Sequence, residues 1–285
     1  MLGKLTKHEF LSVGRIALPS YIAVLILAAI GRALTWLTSR QYVIDNVPYT
    51  FVKIIKTLSS IISTVYIFAF IALIILTLFL MVYRFYKNFF TDEGYLMLTL
   101  PTRPATLIFS KLLNAWVWII FSVAIAFLSL YITLGHYTEV MDLLGDVWDN
   151  LLEVVDRERE YLQKELGVPF WVFIFELALL VFTYLTRFIL AWYDSVAFGM
   201  LLFKNHKVLG TIFAYILIDI ASWIIMGIYL AVITKVVPDY YTTLLDSSGK
   251  ALQIVVLGDT AINLIFSAAL YFFTSYIMKH RLNLD

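Results

Sequence analysis

An all-α polytopic membrane protein with six transmembrane helices is predicted by three observations. Composition is the first: 62% of the 285 residues are apolar and 14% are charged, against about 45–50% and about 25% in soluble domains. The second is the gathering of those apolar residues into six stretches, each reaching the ~20 helical residues that cross about 30 Å of hydrocarbon. The third is the alternation of basic and acidic segments between the stretches. So much apolar surface excludes a water-soluble enzyme, a nucleic-acid binder and a disordered chain. Residues 1–285 are therefore read as a single transmembrane domain.

The opening segment, residues 1–18, is basic and amphipathic. Leu2, Leu5, Val13 and Ile16 can share one helical face, with Lys4, Lys7, Ser12 and Arg15 elsewhere. It is expected to lie along the inner membrane surface until Pro19 turns the chain inward. Spans follow near 19–38, 58–83, 105–134, 169–192, 208–233 and 260–278. The first is not read as a cleaved signal peptide, because no small-residue cleavage site follows it and Arg32 interrupts it. Residues 136–168, between the third and fourth spans, hold nine acids and three bases around apolar residues at mostly helical spacing, so an extracellular acidic helical insertion is expected. Residues 234–259 precede the last span; the apolar run Leu252 to Leu257 is too short to cross and reads as a re-entrant element, with Asp259 capping the last span.

Charge sets the orientation. The segments 1–18, 84–111, 187–207 and 279–285 hold twelve Lys/Arg and five acids, whereas 39–57, 135–168 and 234–259 hold eight and thirteen. Short cytoplasmic segments carry the Lys/Arg excess, which places both termini in the cytoplasm.

Few residues offer chemistry. There are no cysteines, and the four histidines are scattered, so neither a thiolate site nor a histidine metal centre is expected. No phosphate-binding loop, nucleophile elbow or HExxH helix occurs. Tyr193-Asp194 and Leu257-Gly258-Asp259 resemble the paired motifs of intramembrane aspartyl proteases, but the two carboxylates are expected at opposite membrane faces. Charges inside spans are costly and so informative. Arg32 lies roughly 20 Å into the first span, and Glu176 reaches a similar depth in the fourth, so the two are expected to pair. Asp219, near the middle of the fifth span, has no basic residue at its expected depth and points to a water-filled path or a protomer interface.

The segment 90–104 is the most specific signal. Arg84 and Lys87 lead to Asp92, Glu93, Gly94 and Tyr95, then to an apolar stretch ending in Pro101, Arg103 and Pro104. Thr102 can cap the third span, with Pro104 in its first turn. A short amphipathic helix with an acidic start is expected there, at the inner surface.

On these residues the chain resembles the membrane (permease) subunits of bacterial ABC transporters of the type II exporter class, notably the six-span permeases of Gram-positive bacteria. Their cytoplasmic loop carries a run that Glu93, Gly94, Pro101 and Lys111 follow approximately, and residues 7–19 look like their N-terminal connecting helix. The long acidic block at 136–168 departs from that pattern. The resemblance implies a subunit without catalytic residues, cofactor or metal of its own, located in the bacterial plasma membrane. A second permease subunit, as homo- or heterodimer, would complete the pathway, and ATP and Mg would be bound by a separate ABC ATPase subunit. Asp92, Glu93, Gly94, Tyr95, Pro101 and Arg103 would couple to that ATPase, and spans 2 and 5 would line a path for amphiphilic cargo, with peptides favoured, through membrane lipid. The alternative is a membrane sensor or scaffold that binds a ligand through the acidic insertion.

Single cysteines placed at Asp149 and Asn205 are expected to react with an impermeant thiol reagent from outside and inside the cell respectively. The reverse labelling would invert the orientation and remove the 90–104 segment from the cytoplasm.

Overall fold

Hydrocarbon offers backbone N–H and C=O groups no partner, so a chain this apolar satisfies them within helices. The computed structural model describes residues 2–39, 47–91, 94, 103–134, 145, 153, 168–203, 206–236 and 249–280. Among these, six helices are long and apolar enough to cross a membrane, as a multi-pass membrane protein requires. In chain order they are α1 (Leu2–Ser39), α2 (Tyr49–Phe90), α3 (Pro104–Leu134), α4 (Phe170–Leu202), α5 (Lys207–Val236) and α6 (Gly249–His280). Contacts group the described residues into two compact units, one drawn from Gly3–Met81 and Asn114–Asn150 and the other from Val82–Leu113 and Leu151–Asp285. The helices α2 and α3 each contribute to both.

Three boundaries differ from expectation. The chain does not turn at Pro19: α1 is one helix of 38 residues with Pro19 inside it. Proline removes one helical hydrogen bond, yet Pro19 is exposed, and the buried line Val13, Ala17, Tyr21, Val24, Ala28 runs uninterrupted along another face. Of the apolar face expected for residues 1–18, Val13 is buried whereas Ile16 is exposed. Second, α4 continues ten residues past Trp192, which brings Asp194 inside a helix. Third, the run Leu252 to Leu257 is not re-entrant but forms part of α6, and Asp259 lies within that helix rather than at its cap. The residues 135–144, 146–152 and 154–167 of the acidic insertion, and 237–248 of the 234–259 segment, lie outside the described residues.

Lipid tails are as apolar as leucine, so helices here must hold together by close packing and hydrogen bonds. In the first unit, Trp118 of α3 is 1% exposed and stacks on Phe10 of α1 at 4.7 Å. A side chain at Gly14 would meet the Trp118 ring at 3.2 Å, so the glycine makes the seat. Deeper, Thr77 Oγ1 of α2 lies 3.0 Å from Tyr21 OH of α1 and 3.2 Å from Ser122 Oγ of α3. Tyr66 OH and Ser129 Oγ join α2 to α3 again at 3.0 Å. An apolar groove of about 250 Å³ lies between α2 and α3, lined by Phe70, Ile74, Val123 and Phe127 among others.

In the second unit, α4 packs against both α5 and α6. Its crossing with α5 rests on two glycines, because a Cβ on Gly199 would stand 2.5 Å from the carbonyl carbon of Gly210. Gly258 of α6 likewise gives its place to the Tyr229 ring of α5, whose hydroxyl donates to the Ile254 carbonyl at 2.9 Å.

Gly199→Val is expected to lower the midpoint of thermal unfolding in detergent, since overpacking against fixed backbone costs about 1–3 kcal/mol. Gly227 has open space around it, so Gly227→Ala is expected to match or slightly exceed the wild type in the same measurement.

Candidate functional site

Two groups of side chains in the second unit have the character of a site. The first surrounds the ends of α2 and α3 that flank the 90–104 segment. Phe85 and Phe89, one helical turn apart, are completely buried. Phe85 stacks face to face on Tyr193 of α4, with centroids 4.2 Å apart and planes 7° from parallel. Tyr193 OH reaches the Lys111 carbonyl of α3 at 3.4 Å, and Tyr271 OH of α6 donates to the Ala105 carbonyl at 2.7 Å. The last turns of α2 and the first turns of α3 are thus fastened to α4 and α6. Lys111, the last residue of the loop run, is buried with Nζ 5.7 Å from the Phe89 ring centre.

Of the residues predicted to couple to a partner, Asp92, Glu93, Tyr95 and Pro101 lie outside the described residues, as does the expected cap Thr102. Arg103 is exposed; its carbonyl accepts the Thr106 and Leu107 amides at 2.9 and 3.3 Å, so α3 starts on Pro104 as expected. Gly94 is buried, its amide donates to the Thr91 carbonyl at 2.7 Å, and a Cβ there would stand 2.5 Å from the Phe89 carbonyl oxygen. The close approach that Gly94 permits is therefore to the end of α2.

The second group is a polar seam between α4 and α6. Along α6, Thr260, Asn263, Ser267 and Thr274 are buried with Val256, Leu270 and Ile277 at alternating steps of three and four. Gln253 Nε2 donates to Glu176 Oε1 at 3.3 Å, and Thr274 Oγ1 donates to Asp194 Oδ1 at 3.0 Å. The two pairs advance together along both chains, so α4 and α6 run parallel. Hydroxyls within the seam bond backward to their own helix, as Thr183 does to Leu180 and Thr260 to Val256, which removes their cost in an apolar setting. Glu176 Oε2, Asn263 Oδ1 and Ser267 Oγ are buried without a hydrogen-bond partner among the described residues.

Arg32 belongs to the first unit, where it donates to the Ile132 carbonyl at 3.4 Å; Glu176 belongs to the second and has Gln253 as its partner there. Asp219 was expected to have no basic residue at its depth, yet Arg187 of α4 lines the same cleft, with Tyr184, Tyr215 and Ser222. Asp194 and Gly258, which the protease-like motifs single out, are occupied by Thr274 and by the Tyr229 ring.

No family model, curated protein or solved structure matches this chain. Its site is read from chemistry alone. Among the described residues no group of three His, Cys, Asp or Glu side chains is placed to hold a metal, and the buried polar groups of the seam between α4 and α6 are hydroxyls, amides and separated carboxyls. Such a set fastens helices and binds polar groups. Sequence reasoning noted Tyr193 only as the neighbour of Asp194, and missed Tyr271 and Arg187. A signal for Arg187 existed in the apolar residues that resume after Asp194 and carry α4 to Leu202.

Asp194→Ala is expected to lower stability by about 1–3 kcal/mol, because it leaves the buried Thr274 hydroxyl without its acceptor. Asp194→Asn keeps an acceptor oxygen in place and is expected to match the wild type in a thermal aggregation assay.

Proposed function

We propose that this chain is the transmembrane subunit of an ATP-driven exporter in a bacterial plasma membrane, with both termini cytoplasmic. The observation that carries the reading is the fastening of both flanks of the 90–104 segment: Phe85 on Tyr193, Tyr193 on the Lys111 carbonyl and Tyr271 on the Ala105 carbonyl. A push on that segment enters α2 and α3 directly. It reaches α4 and α6 through contacts that are buried and tightly packed, and packed cores pass on displacement rather than absorb it. A segment with this anchorage suits a docking element for a motor.

The motor is a separate ABC ATPase that binds ATP and Mg, and this chain hydrolyses nothing itself. A second permease subunit completes the pathway, and the cargo is amphiphilic. The acidic pair Asp92 and Glu93 offers charge-assisted hydrogen bonds to basic groups on the ATPase, next to Gly94, which closes the end of α2. Resemblance of the loop run, six apolar helices and the absence of a phosphate-binding loop all accord with this division of labour.

Glu93→Ala is expected to insert in the membrane normally while capturing less ATPase or uncoupling hydrolysis from transport, with Glu93→Gln intermediate. Tyr193→Ala is expected to capture ATPase normally yet lose transport, because the lock rather than the docking element is removed. Wild-type capture and transport in all three proteins would rule out this coupling route.

A further inference from the structure

Opposite charges line one cleft at mid-helix between α4, α5 and α6. Arg187 lies near the middle of the 33 residues of α4 and Asp219 near the middle of the 30 of α5. Both line a cleft of about 90 Å³ that Tyr184, Tyr215 and Ser222 share and that Phe188, Ile218 and Phe266 wall with apolar surface. The Arg187 guanidinium lies 5.0 Å from the centre of the Tyr184 ring. Asp219 Oδ2 accepts a hydrogen bond from Trp223 Nε1 at 3.2 Å. Among the described residues neither charge forms an ion pair, although each would be costly in hydrocarbon. Tyr184 is 53% exposed, so the cleft is open on that side.

We propose that this cleft binds the headgroup of a zwitterionic amphiphile, with the oxyanion on Arg187 and the ammonium beside Asp219. The guanidinium fork matches an oxyanion in geometry and charge. The Asp219 carboxylate, whose other neighbour is the Trp223 N–H, attracts an ammonium. A ligand with both signs compensates both protein charges at once, whereas a simple anion or cation leaves one of them bare. The volume falls well below the roughly 300–1,000 Å³ of drug-sized sites, so only a headgroup enters and the acyl chains stay among lipid. As a cargo site the cleft rests on the exporter reading; as a binding site it does not, and the test is made without an ATPase.

Two indoles sit at the cleft as reporters: Trp223 on Asp219, and Trp192 stacked on Tyr215 at 4.1 Å. The full chain, purified in a maltoside detergent, is titrated with dihexanoyl phosphatidylcholine, dihexanoyl phosphatidylglycerol or dodecyltrimethylammonium while tryptophan emission is followed. Saturable binding that favours the zwitterion is expected, weakened about tenfold in both Arg187→Gln and Asp219→Asn. Selectivity should also shift in opposite senses, toward the anionic lipid in Asp219→Asn and toward the cation in Arg187→Gln, which loss of fold alone would not produce. Equal response to all three titrants, or wild-type selectivity in both variants, overturns the proposal. So does a wild type that binds none of them while the single variants unfold and the double variant is stable, because the two charges would then serve only each other.

Discussion

Helices surrounded by hydrocarbon gain little from burying leucine against leucine, and that constraint governs how this chain is held together. Its helix contacts are accordingly made where a side chain is missing or where a hydroxyl can bond. Gly14 seats Trp118, Gly199 meets Gly210 backbone to backbone, and Gly258 admits the Tyr229 ring. The node of Tyr21, Thr77 and Ser122 ties α1, α2 and α3 at one point. Large apolar side chains such as Phe68, Trp223 and Phe272 are left exposed on the outside, as lipid-facing groups should be.

The same constraint explains how so many polar residues survive inside α4 and α6. The hydroxyls of Thr183, Thr260 and Thr274 bond to a carbonyl of their own helix or to a partner across the seam, and the carboxyls of Glu176 and Asp194 each have one donor from α6. Arg187 and Asp219 break this pattern, because although they line one cleft, the contacts of each are to an aromatic ring or an indole N–H and not to the opposite charge. Groups that a structure does not use to hold itself together are the ones available to a ligand. The lock at Tyr193 has the contrary character: it is fully engaged, and its value lies in stiffness.

Much of the architecture was legible beforehand. The six spans and the place of Pro104 in the first turn of α3 follow from hydropathy and proline placement, which are local properties. The errors at Pro19, Trp192 and Asp259 share one cause. A proline, a Trp-Tyr-Asp cluster and a Gly-Asp pair each read locally as a boundary, yet each lies inside a helix because packing on one face continues past it. The buried line of α1 runs on beyond Pro19, Asp194 finds Thr274, and Gly258 receives Tyr229.

The sequence by itself determined that the chain is helical and membrane-spanning, because an excess of apolar residues in runs of about twenty permits nothing else. It also marked the charged residues whose burial needs an account. Which of those residues meet was decided only by the tertiary structure, since partners such as Tyr193 and Lys111 or Asp194 and Thr274 lie far apart in the chain. Their meeting depends on the rotation and register of whole helices. Apolar periodicity is weak when nearly every face is apolar, so the rotation of each helix is set by a few glycines and hydroxyls whose roles appear only once their partners are in place.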